Sequence, residues 1–452
     1  MNPERRANQL TSGSLSRGLL TLAAPMFVTA FLQNAQSLID LFWVGRLGPD
    51  AVAALALSGT ILMMVFPFVM GMSTGTVAFV SRNVGAQRYA EAAEAAGQSL
   101  VLAVVLGIVA GAVGWYLAEP LCRLLGADPH VLRLATEYLR ISFLGIATVF
   151  LLFTCNSVFL GAGHPVLPMT ALLLSNVLNM ILAPFFIFGL LGLPRLEVGG
   201  AALATVIAQA LAALLVLTLL WSRRSVVRVR NRDCRPNPGL AWRILRIGLP
   251  SSGQMLARSL TGLVLMRIVA ACGSAAVAGY GIGLRIHMLV LMPAFTLGNA
   301  TATMVGQNLG AGRPDRAQRS AWLATWMDVG IMAVAAAALM FCAPAVIRAF
   351  TRSPDVVATG AAYLRTVSPF YVFTALAVVL GRALQGAGDT VAPMVLTVAC
   401  LWGLQVPLAV WFARVFTPAT QGIWWSIGLA VTVHGILTAL WFQTGRWKAR
   451  TL

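Results

Sequence analysis

Few residues in this chain could do chemistry in an apolar setting. In the stretch NAQSLIDLFWVGRLG, residues 34–48, Asp40 is flanked by leucine, isoleucine, phenylalanine and tryptophan. Gln33 and Gln36 precede it at helical spacing, so the three share one face of a helix. Asn156, Asn176, Asn179 and Thr205 interrupt later apolar runs, and Asn176 and Asn179 are three positions apart. An aspartate at the centre of a membrane helix costs roughly 2.5–3.5 kcal/mol. Burial disfavours the charged form of any carboxylate. Such a group can take up a proton and release it when its cavity hydrates, or stay ionised and hold a sodium ion among amide oxygens. Either route couples an ion gradient to a change of shape. Of fourteen acidic residues, only Asp40 and Asp328 lie well inside apolar runs. Asp328, in WMDVG, is the rival carboxylate, with few amides around it.

The elements that must position these groups are membrane helices. The chain is 59% hydrophobic and 10% charged over 452 residues, against about 25% charged in soluble proteins. Apolar runs of about 20 residues, enough to span a bilayer core of about 30 Å, recur twelve times. They lie near 18–43, 51–80, 93–117, 134–160, 166–190, 198–221, 246–271, 277–306, 318–341, 361–384, 391–414 and 423–443. They are continuously apolar rather than alternating, which indicates helices and not a barrel. The expected class is an all-α membrane protein. The N-terminus is polar up to Gly18, so a cleaved signal peptide is not expected.

The net charge of +18 reads as orientation, not as nucleic-acid binding. Arg223, Arg224, Arg228, Arg230, Arg232, Arg235, Arg243 and Arg246 cluster between spans six and seven. Arg5, Arg6 and Arg17 precede span one, and Arg446, Lys448 and Arg450 follow span twelve. With twelve spans all three segments share one side, which the positive-inside rule makes cytoplasmic. Both termini are therefore expected in the cytoplasm of a multi-pass protein of the bacterial inner membrane. Lys448 is the only lysine, as in GC-rich bacterial genomes. Six cysteines and four histidines are scattered, without CxxC, Walker A, GxSxG or HExxH patterns. No enzyme, no protein-held metal and no cofactor is expected.

The two halves align at a constant offset of 225 residues. Leu22–Pro25 meets Ile247–Pro250, Asn83–Arg88 meets Asn308–Arg313, Tyr138–Arg140 meets Tyr363–Arg365, and Gly161–Gly163 meets Gly386–Gly388. Two six-helix bundles in parallel repeat are expected: residues 1–221, a basic linker 222–246, and residues 247–452. Transporters built this way hold substrate between halves that rock alternately. The repeat is also an internal control. Asp40 maps to Leu265, Asn156 to Gly381, Asn176 to Leu401, Asn179 to Leu404 and Thr205 to Ala430. The expectation is that the polar cluster belongs to the first bundle alone. Pro25 and its counterpart Pro250 each remove a helical hydrogen bond, making Pro25 a candidate hinge. Arg258, Arg267, Arg285 and Arg382 have no role assigned by the sequence; they would snorkel, pair with carbonyls or line a cavity.

The stretches PMFVTAFLQNAQSLIDLFWVGRLG, GMSTGTVAFVSRNVGAQR, YGIGLRIHMLVLMPAFTLGNATATMVGQNLGAGRPDRA and LQGAGDTVAPM together resemble the MATE (multidrug and toxic compound extrusion) family, most of all its bacterial DinF-like branch. The resemblance covers all twelve spans. It implies a twelve-helix antiporter of two bundles, embedded in the lipid bilayer, that exports small amphipathic or cationic compounds against inward proton or sodium flow; separately, a monomer is expected. It carries the span-one aspartate onto Asp40, and the polar positions of spans four, five and six onto Asn156, Asn179 and Thr205. Gln33, Gln36, Asn176 and Gln254 are further candidates for the polar face. Where many relatives end span five in Asp-Pro, this chain has Ala183-Pro184, and Gln254 lies near where other branches carry a glutamate. A sodium site gains from additional carboxylates, whereas a proton needs one. The expectation is proton antiport with Asp40 as the main carrier. Sodium at Asp40, or a flippase for lipid or lipid-linked precursors, is the alternative.

Overall fold

The computed structural model describes residues 10–192, 194–222 and 225–451. Arg5, Arg6, Arg223 and Arg224 lie outside these described residues. The described chain is helical, with no strand, and twelve spans form two bundles of six. In the first bundle they are Leu15–Val44, Pro49–Met63 with Phe66–Gly85, Tyr89–Leu124, Pro129–Leu144 with Ile146–Gly161, Val166–Phe188 and Glu197–Trp221. In the second they are Pro238–Ala270, Ser274–Val290 with Met292–Gly310, Pro314–Arg348, Pro354–Val367 continuing to Gly386, Val391–Val398 continuing to Val415, and Ala419–Gln443.

Sequence chemistry sets the ends of these helices. Pro49, Pro129, Pro314 and Pro354 occupy the first helical position, where the missing N–H has no partner to lose. Gly163 and Gly388, equivalent in the repeat, follow spans four and ten at φ +83° and +87°, a backbone state that costs glycine little. Spans two and four are broken, bending by 40° at Met64–Val65 and by 48° at Gly145. Helix Pro238–Ala270 is the least apolar of the long spans, because it carries Arg243, Arg246, Arg258 and Arg267.

By contacts the chain divides at Leu249/Pro250, and Gly13–Leu20 groups with the second unit. The residues after span six do not hang free. Val227 and Val229 are buried in the first unit's core. Gln98 Nε2 donates to Asp233 O (3.0 Å) and Arg235 O (2.6 Å), and Asn237 N donates to Gln98 Oε1 (2.9 Å).

The closest helix approaches use small residues, as expected where lipid removes the hydrophobic drive between helices. A Cβ on Gly200 of span six would lie 2.4 Å from Phe186 O of span five. In the second bundle, Gly386 of span ten leaves equally little room against Ala302 of span eight. Each unit has its own core. In the first, Phe143, Ile146, Phe150, Ile187 and Leu139 pack together. In the second, Tyr280 stacks on Trp424 and Tyr363 meets both edge-on, with ring centroids 5.0–5.3 Å apart.

Candidate ion-coupling site

Three helices of the first bundle bring Asp40, Asn179 and Thr205 together. Asn179 Nδ2 donates to Asp40 Oδ1 at 2.9 Å and lies 3.2 Å from Thr205 Oγ1. The Thr205 hydroxyl gives its own proton to Ala201 O at 3.0 Å, one turn back on span six. Thr205 is thus left as an acceptor, and the two amide protons of Asn179 serve the carboxylate and the hydroxyl. Asn179 is fully buried, and Asp40 and Thr205 are half-buried. The alignment of spans five and six is held nearby by Leu196 N donating to Phe186 O (3.0 Å).

Asn176, one turn before Asn179, ties span five to span one by donating to Leu32 O at 2.6 Å. Asn156 of span four does not join the Asp40 group, and its Oδ1 is buried without a hydrogen-bond partner. The Oδ1 atoms of Asn176 and Asn179 are likewise buried and unpartnered. Three amide oxygens of one bundle therefore want a donor or a cation. Gln33 is exposed and Gln36 half-buried; neither side chain hydrogen-bonds to another described residue. Tyr138, named in the sequence only as a landmark of the repeat, is buried within electrostatic reach of Asp40. Helix Leu15–Val44 runs through Pro25 without a break, and Thr29 Oγ1 donates to Pro25 O (2.9 Å).

Asp328 is 0% exposed, and neither carboxylate oxygen has a hydrogen-bond partner. It stands alone in the second bundle, where Asp40 has a built set of partners.

The expectation that polar groups cluster only in the first bundle is corrected by a second network. Arg382 Nη1 donates to Gln385 Oε1 (3.0 Å), Gln385 Nε2 to Gln254 Oε1 (2.7 Å), and Gln254 Nε2 to Thr397 Oγ1 (2.8 Å). His434 Nε2 closes the chain on Thr397 at 3.3 Å. Their first-half equivalents are Ser157, Leu160, Thr29, Leu172 and Gln209; three of these are polar, but Ser157 and Thr29 hydrogen-bond to the backbone of their own helices instead. Of these residues the sequence had picked out only Gln254 and Arg382. Arg258 lies near the Phe295 ring, 6.0 Å from its centroid, while Arg267 and Arg285 are exposed.

No group of three or more His, Cys, Asp or Glu able to hold a metal is found among the described residues. The arrangement around Asp40 is one carboxylate, one amide donor and several amide and hydroxyl acceptors, in helices long and apolar enough to cross a membrane. This equips a site to bind and release a small cation, and supplies no nucleophile or acid–base pair for covalent chemistry.

A family model described as MatE matches residues 25–185 and again 250–411, once in each bundle at the 225-residue offset. The chain belongs to the MATE family of membrane transporters and is not an enzyme. It is 30% identical over 448 residues, 99% of each chain, to the Bacillus subtilis (strain 168) "Probable multidrug resistance protein YpnP". It is 28% identical to "Multidrug resistance protein PmpM" of Pseudomonas aeruginosa, with 93% of this chain and 90% of that one covered. Among solved structures, "Crystal structure of MATE in the bent conformation" superposes with a TM-score of 0.90 at 27% identity, covering 97% of both chains.

Proposed function

We propose that this protein is a secondary antiporter of the bacterial inner membrane, with both termini cytoplasmic. It exports small amphipathic organic compounds, organic cations among them, in exchange for protons, and Asp40 is the main proton carrier. The observation that carries this reading is the convergence of Asp40, Asn179 and Thr205 from spans one, five and six. When Asp40 is ionised, the amide of Asn179 satisfies it; when it is protonated, that donor is released and the tie between spans one and five slackens. Span one also carries Pro25, so its helix is the element best placed to change shape. The relatives named as multidrug resistance proteins support the substrate class.

Sodium is the second reading, favoured by the unpartnered Oδ1 atoms of Asn156, Asn176 and Asn179. Oxygen-rich sites suit hard cations, but the absence of a second carboxylate near Asp40 favours the proton.

The test is ethidium efflux in everted membrane vesicles with an imposed pH gradient. The wild type is expected to transport only with the gradient, and Asp40→Asn not at all while remaining inserted and monodisperse. Undiminished transport by Asp40→Asn removes the carboxylate from the coupling mechanism.

A further inference from the structure

The repeat exposes a second site, at the far end of the second bundle. In the first bundle, the end of span three and the start of span four carry Arg123 and Arg140, and both pair with Glu119. Arg140 also packs over the Trp115 ring, 5.1 Å from its centroid. The offset of 225 maps Arg123 to Arg348 and Arg140 to Arg365, so both guanidinium groups are kept. Glu119, however, maps to Pro344, and Ala127 maps to Arg352. The second bundle has thus lost this carboxylate, and its third arginine has moved: Arg352 stands where the first bundle has Ala127, and Ala358 where it has Arg133.

The structure shows what surrounds these arginines. Arg348, Arg352 and Arg365 line one cavity of about 680 Å³, with Pro344 in its wall, a size within the range of ligand sites. The rest of the lining is small and, apart from Thr351, apolar, including Val357 and Ala361. Among the described residues, no carboxylate forms an ion pair with any of the three. Arg365 is oriented by donating from Nε to Met340 O at 3.1 Å, which leaves its two terminal nitrogens available. The other carboxylates of this bundle are committed or remote: Asp389 to Trp441 and Arg450, Asp315 to Lys448, and Asp328 enclosed within span nine. Asp355 follows the lining residue Pro354 on the helix that walls the cavity, and it makes no ion pair with the three arginines.

The position points to what the occupant is. Lys448 bridges to Asp315, so the C-terminus and the start of span nine share one end of the bundle. The cavity lies at the opposite end, the outer one when the termini are cytoplasmic. The positive-inside rule gives no reason for arginines to gather there. Near the cavity in sequence, Phe341 and Phe350 are 83% and 64% exposed, as suits apolar side chains that face lipid.

We propose that this cavity binds the headgroup phosphate of an anionic phospholipid, which takes the place of the missing Glu119 equivalent. The guanidinium groups of Arg348, Arg352 and Arg365 hold the phosphate oxygens, with the fork geometry that suits arginine to phosphate. The acyl chains lie along the Phe341 face. The site does not depend on the transport reading, but its place at the outer face rests on the proposed cytoplasmic termini.

The test uses the purified full-length chain in detergent, with thermal unfolding followed against added phosphatidylglycerol, phosphatidylcholine or inorganic phosphate. Phosphatidylglycerol is expected to raise the midpoint at concentrations where phosphatidylcholine does not. In Arg348→Gln/Arg352→Gln the half-saturating concentration rises about fivefold per arginine, about 25-fold in all. Pro344→Glu, which restores an internal carboxylate, is expected to fold and to lose the preference for phosphatidylglycerol. Equal stabilisation by both lipids overturns the proposal. So does an unchanged preference in the double variant, which decides the matter even if Pro344→Glu does not fold. Stabilisation by millimolar inorganic phosphate equal to that by phosphatidylglycerol overturns the lipid assignment in favour of a free-anion site.

Discussion

Gly200 offers a way to disturb the Asp40 site without touching any of its polar groups. A methyl there would sit 2.4 Å from Phe186 O and 2.8 Å from Ile187 N, where ordinary contact begins at 3.4 Å. Gly200→Ala must therefore part spans five and six locally by about 1 Å, and overpacking of this kind costs about 1–3 kcal/mol. The displacement acts at the site as well. Asn179 on span five and Thr205 on span six are 3.2 Å apart, so even part of that shift takes the pair past about 3.6 Å, where the hydrogen bond is lost. Thr205 lies five residues, about 1.4 helical turns, beyond Gly200 on the same helix and shares in the motion. The assay is thermal unfolding in detergent alongside gradient-driven ethidium efflux. Gly262→Ala serves as control, since nothing lies within 4 Å of its added methyl; it is expected to be neutral or stabilising by about 0.5–1 kcal/mol. Gly200→Ala is expected to lower both the midpoint and the efflux rate. If it matches the wild type in both while Gly262→Ala behaves as stated, the claim that the close packing of spans five and six holds the site in register is wrong.

Other outcomes follow from the same structure. Asp328→Asn is expected to retain gradient-driven ethidium efflux, because no side chain of the described chain hydrogen-bonds to that carboxyl; loss of coupling in a well-folded variant would shift the carrier role to the second bundle. Gln98→Leu removes three hydrogen bonds to the segment after span six, at about 0.5–1.5 kcal/mol each. Limited trypsin digestion should then cut at Arg228–Arg235 several-fold faster, and an unchanged rate would mean that Val227 and Val229 hold the segment by themselves. Gln254→Leu leaves Gln385 Nε2 without an acceptor inside the second bundle, costing about 1–3 kcal/mol, while Thr397 keeps His434. Thermal unfolding reads that loss, whereas Gln254→Glu, which keeps an acceptor for Gln385, should lose less.

Much of this molecule is legible in its sequence, for physical reasons. Long apolar runs have few fates other than membrane helices, and an ungapped 225-residue offset needs two bundles of like topology. Asp40 stands out because its equivalent, Leu265, is apolar. Its neighbours are harder to read. Asn156, Asn179 and Thr205 look alike as polar residues in apolar helices, and only helix packing separates Asn179 and Thr205, which meet, from Asn156, which does not. Tyr138 could have been found only by knowing which face of span four turns toward span one. The second network was hidden by another cause. Leu376–Leu380 and Ala399–Gln405 are π-helical turns, beside Arg382 and Thr397 respectively. Each shifts the helix phase, so the usual period of 3.6 no longer tells which residues share a face. The arginine cavity was legible in principle, since Glu119 and Pro344 stand at equivalent positions, but its meaning rests on the ion pairs that only coordinates display.

The central claim is that proton movement through Asp40 is the counter-current to export. The most direct test reconstitutes the protein in sodium-free liposomes carrying a pH-sensitive dye, and follows proton flux when an ethidium gradient is applied. The account predicts a proton flux opposite to that of ethidium in the wild type and none in Asp40→Asn. Ethidium transport with no proton movement, or proton flux undiminished in Asp40→Asn, would contradict it.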